Sequence, residues 1–282
     1  MRKNIFQILQ EHFDIEKEIE RIQELFESNL FCNKNTRYSP EGLVDDYVFY
    51  GWKQRNRCLN TDDLKEVLDI DNIFWRKTFT IEEIIPYLEY VENILYLAYE
   101  YIKDKEEFDY YWDYTVLNEN IKSLLDHLNL ETYYFDEDEM ALIIEKDEKV
   151  TAAAEILPPS LGIKAVKYNH YTLKGDIEEK KDIVLALANK LESQRKRLEK
   201  INRQLASDLF YMLNNMNLRH NNTDKSGNNY QPFLSKMRAS TLEKWYDETY
   251  QLELLAFLLI DNEKRSKEIS VLKQKMEENK NV

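Results

Sequence analysis

From Thr80 onward the apolar positions Ile84, Leu88, Val91, Leu95, Ala98 and Ile102 recur at spacings of three and four, and five tyrosines between Tyr87 and Tyr101 broaden that face. This period predicts a long core helix. Ile15, Ile19, Ile22 and Phe26 predict one or two helices over 5–29. Shorter patterns place helices at 41–50, 62–70 and 116–129. Over 131–147 an aromatic triplet and the run Met140–Ile144 flank an acidic turn, which predicts a small β-hairpin.

Between Asp176 and Asn217, residues Val184, Leu187, Leu191, Leu198, Ile201, Leu205, Leu209, Met212 and Met216 keep near-heptad spacing, interrupted at Gln194. Unbroken, that helix runs about 60 Å at roughly 1.5 Å per residue, so a bend near Gln194 is expected. A last helix begins at Ser240 and is apolar nearly all round as far as Leu259. After Asp261 the chain reads as a charged, frayed tail. Thr80-Ile-Glu-Glu83, Asp176-Ile-Glu-Glu179 and Ser240-Thr-Leu-Glu243 each have the form of a capping box. The fold class expected is therefore all-α with at most a small hairpin. A region 1–155, a linker 156–175 holding two of the five prolines and two of the five glycines, a helical domain 176–265 and a tail 266–282 complete the plan.

Charge sharpens that division. The net charge is −14, but residues 1–150 hold 17 basic and 35 acidic side chains, a net −18, whereas 151–282 hold 22 and 18, a net +4. An acidic first half repels nucleic acid, and +4 is well short of a dedicated DNA-binding module. Cys32 and Cys58 lie in no C-x-x-C pattern and read as reduced thiols. The first twenty residues lack the apolar run of an export signal, and "LELLAFLLI" (252–260) is too short to span a membrane. A cytoplasmic protein with no membrane partner is the expectation.

Candidate chemistry emerges mostly by exclusion. The glycines at 42, 51, 162, 175 and 227 form neither a P-loop nor a dinucleotide fingerprint. His12, His127, His170 and His220 lack the spacings of helical metal sites, so no metal and no cofactor is assigned. The cluster 107–117, "EFDYYWDYTVL", could stack bases, but its acidic neighbours oppose phosphate, and it reads as core and rim. His170, between tyrosines before a helix start, reads as a hydrogen-bonded loop residue.

What remains is "NLRHNNTD" (217–224), a polar loop between two apolar helices. Arg219 and His220 sit where a helix dipole favours cations, and asparagine tolerates the left-handed turn that ends a helix. The loop nevertheless continues through Asn229, longer than one turn requires, and such loops often carry sites.

A long helix, an arginine followed by polar residues, and a closing apolar helix resemble the HEPN superfamily over roughly 176–265. These are helical domains of toxin–antitoxin and abortive-infection systems, many of them metal-independent ribonucleases. The family signature pairs an arginine with a polar residue and a histidine four to six positions on, presented by two protomers. Here Arg219 and His220 match its first two positions, and no histidine follows His220. The resemblance implies a homodimer and two versions of the site. In one, Arg219 and His220 are catalytic, histidine moving the 2′-hydroxyl proton and arginine stabilising the phosphorane, while Asn221 and Asn222 position RNA. In the other, a non-cleaving relative binds a protein partner through the helix 176–217. With the cleaving version, whose role is defence-related RNA cleavage restrained until triggered, residues 1–150 form a sensor or regulatory region. An RNA-binding module without cleavage is a third reading, favoured by the basic half and opposed by the total charge.

Overall fold

The computed structural model describes residues 13–70, 80–135 and 140–278. In chain order, Asp14 accepts a bond from the Lys17 amide at 3.3 Å and opens helix α1 (Ile15–Phe26), which buries Ile19, Ile22 and Phe26. The expected helix over 5–12 lies outside the described residues. Strands β1 (Phe31–Asn33) and β2 (Thr36–Tyr38) pair antiparallel, Phe31 opposite Tyr38. Helix α2 (Pro40–Tyr47) starts under the Ser39 hydroxyl and α3 (Thr61–Val67) under the Asn60 amide, both ordinary side-chain caps.

Helix α4 (Ile81–Ile102) carries the predicted capping box, Thr80 with Glu83, and buries Ile84, Leu88, Val91, Leu95, Ala98 and Ile102. Strand β3 (Phe108–Tyr110) then joins the free edge of β1, giving the order β2-β1-β3. Helix α5 (Trp112–His127) leads into the hairpin β4 (Leu130–Phe135) and β5 (Met140–Glu145), in register from Leu130 opposite Glu145 to Phe135 opposite Met140.

Polar residues of α4 fix that hairpin from below. The Asn93 side chain donates to the Ala141 carbonyl and accepts from the Ala141 amide, both at 2.8 Å, and Glu89 accepts from the Ile143 amide at 2.9 Å. Burial raises the pKa of the Glu92 carboxyl, opposed by the bond that the Tyr134 hydroxyl donates to it at 2.6 Å.

The chain divides into two compact units, Met1–Lys146 and Asp147–Val282. In the second, Asp147 caps α6 (Glu148–Ile156), and the segment expected as a linker folds as α7 (Pro159–Tyr168). Gly162 allows α7 to lie against α6, since a Cβ there would sit 3.0 Å from the Ala154 carbonyl oxygen. The near-heptad stretch forms three helices, α8 (Ile177–Glu192), α9 (Arg195–Ile201) and α10 (Arg203–Asn215). The first break falls at Gln194, as expected. The second follows from Asn202, extended at φ −149°, whose side chain accepts from the Leu205 amide at 3.0 Å. A single 60 Å helix is therefore absent.

Helix α11 (Ala239–Glu278) packs its first half against α6, α8, α9 and α10 and buries Tyr246, Tyr250, Leu254 and Phe257. It starts one residue before Ser240, which therefore lies inside the first turn rather than capping it, and Lys180 and the Gly175 amide engage the Glu243 carboxylate. The expected frayed tail is helical through Glu278, with i,i+4 pairs Asp261–Arg265 and Glu263–Lys267 on its first turns. The described residues thus form a mostly helical fold with two small sheets. No helix among them is long and apolar enough to cross a membrane.

Candidate functional site

The polar loop begins where α10 runs out of helical partners. Asn217 takes φ 59°, the left-handed position that ends the helix, and the Arg219 amide closes the turn on the Leu213 carbonyl at 3.0 Å. Leu218 and Leu234 are buried and anchor the two sides of the loop.

Asn222 is its keystone, at 1% exposure. Its side-chain amide donates to the carbonyls of Asn214 at 3.2 Å and Asn229 at 2.8 Å. Its side-chain oxygen accepts from the Asn217 amide at 2.9 Å, and its own amide donates back to the Asn217 side chain at 3.1 Å. The Asn222 carbonyl accepts from the Gln231 amide at 2.7 Å. Both side-chain donors are thus taken by backbone, which leaves neither for a substrate. The neighbouring Asn221 makes a local turn, accepting from the Thr223 hydroxyl at 2.9 Å and the Asp224 amide at 3.2 Å.

Arg219 and His220 differ in their surroundings. The Arg219 guanidinium is mostly covered and meets the Glu192 carboxylate at 2.6 Å, lying over the Phe210 ring at 5.4 Å from its centre. Arg195 occupies the same ring at 4.4 Å. Loop, α8 and α10 are thereby joined by a cation, a carboxylate and an aromatic face. His220 is exposed, and among the described residues its ring has no hydrogen-bond partner.

Two features here lay outside the sequence reading. Glu253 of α11 is fully buried with neither carboxylate oxygen hydrogen-bonded. Burial raises its pKa well above the carboxylate range, opposed by the charge of Arg219. The only signal was a lone carboxylate inside "LELLAFLLI". Lys180 of α8 is buried against Glu243 and Asp247 of α11, each at 2.8 Å, with its ammonium over the Tyr168 ring at 5.2 Å. Burial alone would lower that ammonium's pKa, but the bonds and charges of Asp247 and Glu243 raise it overall.

The remaining candidates sit as core, rim or loop. Phe108 packs among Tyr38, Tyr47 and Tyr101, and Tyr114 among Phe31, Tyr99 and Tyr110, while Trp112 is exposed. A cavity of about 420 Å³ beside them is lined by Tyr99, Phe108 and Tyr110 together with Asp104, Glu106 and Asp109 and the lysines Lys103 and Lys105. His170 is buried, its Nδ1 2.7 Å from the Thr172 hydroxyl. Cys58 is buried and Cys32 partly so, both as free thiols.

No family model, no curated protein and no solved structure matches this chain. The chemistry of the loop therefore rests on its own geometry. That geometry offers one exposed imidazole, one arginine held by a carboxylate, Asn222 engaged on both sides of its amide, and an exposed Asn221 whose oxygen closes a turn while its side-chain nitrogen has no partner among the described residues.

Proposed function

We propose that the chain is a non-catalytic helical interaction protein in which residues 219–222 close a structural loop. The observation carrying this reading is the engagement of Asn222 and Arg219 inside the fold, one with backbone carbonyls and the other with Glu192 and Phe210. An arginine already paired with a carboxylate and an asparagine whose donors are both taken by backbone are less able to hold RNA. The partner surface moves from 176–217, which breaks into three short packed helices, to the second half of α11, exposed from Lys264 to Glu278.

The rival reading is a HEPN-like metal-independent ribonuclease of the abortive-infection type, assembled from two copies. It is favoured by one observation, the exposed His220 directly beside Arg219. It requires Arg219 to leave a carboxylate that is itself half-exposed, at a cost of about 1 kcal/mol or less. Incubating the full chain and an Arg219→Ala/His220→Ala variant with structured and single-stranded RNA, with and without chelator, separates the two. The interaction reading expects intact RNA in every lane. Chelator-resistant cleavage by the unaltered chain, lost in the variant, contradicts it.

A further inference from the structure

The second half of α11 continues as helix although no described element buries it, and its side chains are not arranged at random. Four apolar residues are exposed there: Ile269, Val271, Leu272 and Met276, at 50 to 59%. At about 100° per residue, Ile269, Leu272 and Met276 fall within roughly 60° of one another, with Val271 on the far side. Extended toward the packed half, the same stripe passes through Leu258, Asn262 and Arg265. The intervals are four, three, four, three and four, the alternation of a coiled-coil seam. In that register Asn262, Ile269 and Met276 occupy a positions, and Leu258, Arg265 and Leu272 occupy d.

From these positions we infer that the exposed half of α11 pairs in parallel and in register with α11 of a second copy of this chain. The inference rests on the interaction reading above and names its partner. Three features favour a second copy over an unrelated partner. Glu268 occupies a g position and Lys273 the e position of the next heptad, so parallel pairing sets each against the other's counterpart twice by symmetry. Both are exposed, and neither is ion-paired among the described residues. The preceding such pair, Asp261 with Ser266, sets no like charges against each other, while Lys275 at the following g position would face Lys280, which lies outside the described residues. Asn262 at an a position meets its own counterpart only when the copies are parallel and in register, and one such buried asparagine pair selects dimers and fixes alignment.

The seam from Asn262 to Met276 spans about 22 Å at roughly 1.5 Å per residue. Its apolar layers are few, and Arg265 weakens one of them while remaining paired with Asp261. Its helix is preorganised by the packed first half, so pairing does not have to nucleate it. The pairing is therefore expected to be weak and reversible.

Sedimentation velocity of the full chain across a micromolar concentration series tests the inference. The expected result is a monomer–dimer equilibrium that Ile269→Glu/Leu272→Glu weakens by at least about a hundredfold. At concentrations where the parent is monomeric, the thermal unfolding profile of that variant should match the parent's, because both side chains face solvent in the single chain. Glu268→Lys should weaken pairing by placing lysines opposite lysines, and Glu268→Lys/Lys273→Glu should restore it. A chain monomeric throughout, a dimer indifferent to the double glutamate variant, or Glu268→Lys without effect overturns the inference. Those outcomes leave the interaction reading standing with a different partner. RNA cleavage in the assay above removes that reading while leaving a coiled-coil dimer measurable.

Discussion

Lys180→Met is expected to lower the stability of the unit Asp147–Val282 by about 3 kcal/mol, toward the lower end of the range for breaking a buried ion pair. The ammonium holds Glu243 and Asp247 of α11 against α8, and Asp247 also accepts from the Tyr168 hydroxyl at 3.0 Å. Methionine fills the volume but leaves two neighbouring carboxylates without their cation. Asp247 is half-exposed and recovers some hydration, which keeps the figure from the top of the range.

The pH dependence gives this loss a signature. The Glu243 carboxyl lies below its ordinary value: burial pushes it up, but the bonds from Lys180 and the Gly175 amide outweigh that. Its contribution is present above the unfolded value of 4.5 and is lost as pH falls through the folded one. Urea titrations of both proteins should therefore show a gap that is wide at neutral pH and narrows in acid. A gap independent of pH would assign the loss to packing.

Glu253→Met should act in the opposite direction, raising stability by about 2 kcal/mol at neutral pH. A buried polar group without a hydrogen bond costs on the order of 1–3 kcal/mol, and Glu253 has two unbonded oxygens. Its folded pKa is well above the unfolded value of 4.5. The carboxyl therefore contributes most favourably below pH 4.5, and that contribution is lost as pH rises through the folded value. Methionine, close in length and without charge, removes the slope. The measured gain should grow from pH 4 to pH 7, and a variant less stable than the parent at neutral pH would contradict this reading of Glu253.

The parts of the fold legible in the sequence are those governed by neighbours within one turn or one hairpin. The α4 stripe and the Thr80–Glu83 box are local, and so is the pairing of 130–135 with 140–145. The sheet β2-β1-β3 escaped notice because its strands are three residues long and β3 comes from 70 residues further on. A heptad count over 176–217 missed the break at Asn202, whose capping role depends on a backbone turn that hydrophobic spacing does not encode.

The same limit applies to the loop. Four consecutive polar residues look like a site because sequence does not show where their hydrogen bonds go. Asn222 finds its partners at 214, 217, 229 and 231, and Arg219 finds its partner on another helix at 192. In α11, the pairs Asp261–Arg265 and Glu263–Lys267 were the available sign that the charged end is helix rather than tail.

The most direct measurement is the unfolding free energy of Asn222→Ala beside that of His220→Ala, at one pH and one denaturant. If the loop is built around Asn222, its alanine variant strands the Asn214 and Asn229 carbonyls and the Asn217 amide and loses at least about 1 kcal/mol, while His220→Ala stays within about 0.5 kcal/mol of the parent. Equal and negligible losses at both positions would contradict the account, because Asn222 would then be no structural keystone.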